Sequence, residues 1–128
     1  MMRRTNGALL SLLLLAVLAT AGWTTTPGGS EGTQVFTGEI SDTICAHYKG
    51  HKHMMEEVKG MGNDKKACIA HCREQLGASY VLYDPAKDIT YQIADQDKVA
   101  AFSGQKVRIS GTADKNKKLK VTRVEAAN

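Results

Sequence analysis

The chain has 128 residues, about 107 if an N-terminal leader of 21 is removed, which fits one domain with one core. Its formal net charge of +4 falls to about +2 without Arg3 and Arg4, and so small a surplus neither favours nor opposes a nucleic-acid partner. No internal repeat is present.

Residues 1–21 read as a secretory signal peptide. Arg3 and Arg4 supply a basic start, residues 8–19 are almost wholly apolar, and Ala19-Thr20-Ala21 gives the small-x-small pattern that signal peptidase needs. The apolar run, about a dozen residues, is too short to span a bilayer comfortably. No cysteine lies near the cleavage point, which argues against a lipoprotein anchor. The expected location is periplasmic or secreted, with no membrane span after cleavage. Residues 22–34, rich in Gly, Thr and Ser, read as a flexible leader, and residues 35–128 as the domain.

Residues 35–41 alternate, with Phe36, Gly38 and Ile40 on one face, and predict a strand. Residues 42–78 do not fit a strand pattern and read as an insertion. Within it residues 64–76 predict an amphipathic helix with Asp64 as N-cap and with Ile69 and Leu76 on or near the side of Cys72. Residues 45–62, interrupted by Gly50, Gly60 and Gly62, resist assignment. Residues 79–84 and 89–93 predict a hairpin across the turn Asp84-Pro85-Ala86-Lys87-Asp88, with Ile89, Tyr91 and Ile93 inward. Residues 95–102 predict a short helix capped by Asp95 and ended at Ser103-Gly104. Residues 106–112 alternate with Val107, Ile109 and Gly111 inward, and residues 119–124 form a last strand. Val124 falls out of phase with Leu119 and Val121, so a bulge or strand end near Thr122 is expected. The fold class is therefore mainly β (α+β): a small five-stranded OB-like barrel with a Cys/His-rich helical insertion between strands 1 and 2 and a short helix between strands 3 and 4. An open antiparallel sheet packed on the insertion is the alternative.

All three cysteines (Cys45, Cys68, Cys72) and all four histidines (His47, His51, His53, His71) fall in the insertion, with the three methionines that would survive processing. Two readings compete. Export favours oxidation, so Cys45 could bridge to Cys68 or Cys72 and staple the insertion, leaving an odd thiol. Alternatively Cys68, His71 and Cys72, at helical positions i, i+3 and i+4, form three ligands, with Cys45 or His47 as the fourth. Such sets suit Zn²⁺, and thiolate with thioether donors suits Cu(I), with His53-Met54-Met55 as a mouth. The spacing matches no standard zinc-finger signature, and Cys68-x-x-His71-Cys72 has the wrong order for c-type haem. A thiol redox enzyme is a third reading, weakened by the absence of a C-x-x-C pair. Tyr80, Tyr83 and Tyr91 with Lys115, Lys117, Lys118 and Lys120 could imitate a nucleic-acid surface, but such residues commonly form a barrel rim and a solvated edge.

The run Phe36-x-Gly38-x-Ile40-Ser41-Asp42-x-x-Cys45, then Cys68-x-x-x-Cys72, Gly77-x-x-Tyr80-Val81-Leu82 and Phe102-x-Gly104-x-x-Val107-x-Ile109-x-Gly111-Thr112 resembles small exported bacterial domains of unknown function. The resemblance covers most of the mature chain. It implies a periplasmic or secreted location and an OB-like barrel, and it carries no activity. The combined expectation is a non-enzymatic exported binding domain whose ligand is a soft metal or a protein partner; the alternative is a disulfide-stapled interaction module with no metal.

Overall fold

The computed structural model describes residues 32–128; the expected signal peptide and most of the leader lie outside them. Five strands form one mixed sheet: β1 (Gln34–Asp42), β2 (Tyr80–Asp84), β3 (Ile89–Ile93), β4 (Lys106–Ala113) and β5 (Lys118–Ala126). Pairing runs β1-β2-β3-β5-β4 and returns to β1, so the sheet closes on itself as a barrel. All ladders are antiparallel except β3 with β5. Closure removes the free edges that five short strands would otherwise expose.

The alternation in the sequence produces the barrel interior. Phe36 lies opposite Ile109, Gly38 opposite Val107, and Ile40 opposite Leu82. Ile40, Leu82, Ile93, Val107, Ile109, Leu119 and Val121 share one core cluster. Gly38 lacks a side chain for a reason: a Cβ there would stand 2.5 Å from the Tyr83 carbonyl oxygen. The expected irregularity in the last strand is present. Ser110 pairs with Arg123 and Gly111 with Val121, which leaves Thr122 as the extra residue and returns Val124 towards the core.

Every residue of β2 is buried. Tyr80 and Leu82 point into the barrel, while Val81 and Tyr83 are covered from outside by Ala46. Ala46 belongs to the insertion, which forms three helices: α1 (Thr43–His47), α2 (Lys52–Glu57) and α3 (Lys65–Leu76). Asp64 caps α3 as expected, its Oδ1 accepting from the Lys66 amide at 2.9 Å, and Gly77 ends it in the left-handed region at φ 70°. Ile69 of α3 enters the barrel core, but Leu76 is 52% exposed. Leu76 is the last helical residue before the chain reverses at Gly77, and no described residue buries it.

Between β3 and β4 lie α4 (Gln96–Val99) and a 3-10 turn at Ala100–Phe102. Asp95 does not cap α4 with its side chain. Its Oδ2 instead accepts from the Val121 amide at 2.8 Å, tying the start of the helix to β5. Among the described residues no helix is long and apolar enough to cross a membrane.

Candidate metal centre

The centre is assembled from three short pieces of chain. Asp42, the last residue of β1, caps α1: its Oδ1 accepts from the amides of Ile44 and Cys45, each at 2.9 Å. That cap fixes Cys45 one turn into α1, pointing away from solvent. Cys68 and Cys72 stand four apart on α3, one turn from each other on its buried side. All three cysteines have no solvent exposure. Cys45 Sγ lies 3.4 Å from Cys68 Sγ and 4.0 Å from Cys72 Sγ. All three are free thiols, because a disulfide needs about 2.05 Å. Sulfurs sharing one tetrahedral ion through bonds of about 2.3 Å stand about 3.5–4 Å apart, close to the separations seen.

His51 brings a nitrogen to two of these sulfurs. It is buried, and one of its ring nitrogens lies within 4.8 Å of the sulfurs of both Cys45 and Cys68. Its Nε2 meets Glu39 Oε1 at 2.5 Å. Burial pushes the Glu39 carboxyl up, but hydrogen bonds from His51 and Lys65, with the charge of Lys65, outweigh that and hold it below its ordinary value. An ionised carboxylate only accepts, so His51 Nε2 carries the proton and donates it. In a neutral imidazole Nδ1 is then a lone pair, and this buried nitrogen has no hydrogen-bond partner among the described residues. A carboxylate orienting one imidazole nitrogen while the other is left for a ligand is the usual outer-shell arrangement of a metal-binding histidine.

A second buried atom without a partner among the described residues is Asp42 Oδ2. Asp42 groups with Cys45 and Cys72 within 4.8 Å, so two overlapping triads share Cys45. Burial, followed by the nearby Asp42 carboxylate, pushes the Cys45 thiol far up and the Cys72 thiol up to about 11. Cys68 also rises, mainly through burial. A cluster of buried, high-pKa thiols beside a carboxylate lacks the electropositive setting of a reactive cysteine. A cation placed among them would reverse that balance, since a coordinating thiol is deprotonated outright.

Two expected ligands lie elsewhere. His47 is exposed at the end of α1, its ring edge-on to Tyr48 at 5.2 Å. His71 is only half-buried and belongs to neither triad. Successive helix residues point about 100° apart, so turning Cys68 and Cys72 inward carries His71 to the flank. His53 is exposed and stacks on Tyr48 at 4.2 Å, away from the role of mouth. Met54 is buried within the sulfur cluster, with Met55 and Met61 packed against it. Spacing could not reveal His51, because it sits after a turn through Lys49 (φ 58°) and Gly50 (φ 146°). The available hint was Glu39, a carboxylate on the outward face of β1 beside the insertion.

Comparison with family models, with curated proteins and with solved structures finds no match for the chain.

Proposed function

We propose that this chain is an exported bacterial domain that holds one soft or borderline metal ion between Cys45, Cys68, Cys72 and His51. The observation that carries the proposal is the buried, unpartnered Nδ1 of His51, with its ring held by Glu39 beside two sulfurs. A three-sulfur, one-nitrogen set suits tetrahedral Zn²⁺, and four protein ligands make a closed structural site rather than a catalytic one. Cu(I) is the second candidate, favoured by the buried thioether of Met54 and its neighbours Met55 and Met61. The strand order, the parallel β3–β5 contact and the helix between β3 and β4 support an OB-like barrel as scaffold. The leader read in residues 1–21 supports a periplasmic or secreted location.

The test is elemental analysis with thiol counting on protein recovered from the periplasm of a bacterial host. The expected result is one zinc or copper per chain, with all three thiols alkylated only after chelation and unfolding. Metal-free protein with one alkylatable thiol and one disulfide would overturn the proposal in favour of the staple. The mass of the recovered chain checks cleavage after Ala21.

A further inference from the structure

A cavity of about 640 Å³ lies between the barrel and the insertion, within the usual range for small-molecule sites. Its barrel wall includes Glu39, Tyr83 and Pro85. Its other wall comes from the insertion. His51 lines it, so one imidazole faces both the cavity and the sulfur cluster. Met55 also lines it while packing against that cluster.

The rim is rich in hydrogen-bond donors. Lys49, Lys52 and Lys65 all line the cavity. Each ammonium has three N–H groups and no acceptor. Lys49 holds Asp88 at 2.6 Å, Lys65 holds Glu39 at 2.6 Å, and Lys52 holds Glu56 only loosely at 3.7 Å. Most of their donors are therefore free for a ligand. The Glu39 carboxylate is already taken, giving Oε1 to His51 and Oε2 to Lys65, while Glu56, which also lines the cavity, faces Lys52. Tyr83, Pro85 and Met55 supply apolar surface below the rim.

We infer that this cavity binds a small organic anion, a carboxylate on an apolar body, with the anionic end among Lys49, Lys52 and Lys65. The ligand's affinity is coupled to the metal through His51. This coupling rests on the proposed metal site; the binding itself does not.

Methyl and amide NMR of the purified protein, titrated with benzoate, benzamide and benzylamine, tests it. Benzoate shifts the Met55 methyl and the amides of 49–52 saturably, with a dissociation constant of roughly 1 mM. Benzamide, of the same shape without charge, binds at least about tenfold more weakly, and benzylamine does not bind. Replacing Lys49→Gln and Lys52→Gln together weakens benzoate about fivefold and leaves bound metal unchanged, since their side chains pair with Asp88 and Glu56 and with no proposed ligand. Equal binding of benzamide and benzoate, shifts outside the cavity, or no saturable shift overturns the inference. A repeat after chelation separates the two readings: the ion holds the insertion wall of the cavity, so the metal-free form binds benzoate about fivefold or more weakly, or not at all. Equal affinity overturns the coupling, whereas protein isolated without metal overturns the metal centre while the titration still reads the cavity.

Discussion

The barrel and its insertion are built on different interactions. The barrel core is mainly aliphatic: Ile40, Leu82, Ile93, Val99, Val107, Ile109, Leu119 and Val121 pack together within the closed sheet, joined by Tyr80 and by Ile69 from α3. The insertion core is Cys45, Met54, Cys68 and Cys72, with only partly buried Ile44, Met55, Val58, Met61 and Ala78 around it. Two of its helices, α1 and α2, have five and six residues, well below the length at which a helix persists unaided. Burial of aliphatic surface is enough to hold the first region. The second places polar atoms in its centre and leaves His51 Nδ1 and Asp42 Oδ2 without partners, a cost that a bound cation removes.

The largest effect therefore follows removal of the ion. Structural zinc in small domains contributes about 10–16 kcal/mol of folding free energy. Chelation, or Cys45→Ser, should release the helices from His47 through Leu76 and leave the ladders of β4 with β5 protected. Hydrogen exchange resolves the two regions directly. Unchanged protection in the insertion after complete chelation would erase the proposed difference between the cores.

The reverse perturbation is smaller and falls on the other region. Leu119 has no solvent exposure and sits in the barrel core. Leu119→Ala should destabilise the domain by about 2–5 kcal/mol. Its folded fraction should still carry one metal ion per chain, because Leu119 lies outside the sulfur cluster. Denaturant melts give the first quantity and elemental analysis the second. Loss of metal from the folded variant would show that the two cores are one cooperative unit.

These regions also differ in how much the sequence reveals. Strand alternation is local and has a period of two, so Phe36-Gly38-Ile40 and Val107-Ile109-Gly111 declare their buried face without a partner in view. Even the bulge at Thr122 is visible, as Val124 breaking phase. Clustering of Cys and His within 42–78 likewise marks the region of the site. The ligand set is not local. Cys45 depends on the Asp42 cap, Cys68 and Cys72 on the seating of Ile69 in the barrel, and His51 on a left-handed turn and on Glu39 across a chain reversal. Helical spacing proposes His71, but α3 is oriented by Ile69 as well as by its cysteines, and that orientation excludes it. Asp95 reads as a cap for the same reason: its partner, the Val121 amide, is distant in sequence.

A histidine comparison sharpens the choice of ligand. His51→Gln should weaken metal binding by more than about 100-fold, exceeding typical outer-shell losses. His47→Gln and His71→Gln should leave it within about twofold, since neither group joins a triad. Competition with a chromophoric chelator measures all three. A large loss from His71→Gln, with His51→Gln silent, would return the site to the helix-face set.

Glu39→Gln is the finest probe, because it alters neither core and keeps the side chain's length. Glutamine can still accept from His51 Nε2 through its amide oxygen, so the ring is not released. The variant loses the charge that makes the imidazole a better donor, and it loses the anchor for Lys65, which now meets Oε2 at 2.6 Å. Outer-shell changes of this kind weaken metal binding by about 10–100-fold. The expected order is therefore His51→Gln, then Glu39→Gln, with Lys65→Gln closest to the parent, because an ion pair on a half-exposed lysine contributes about 1 kcal/mol or less. If Glu39→Gln binds metal as tightly as the parent, the carboxylate only helps to hold the insertion against the barrel, and the tautomer of His51 must be fixed by the ion itself.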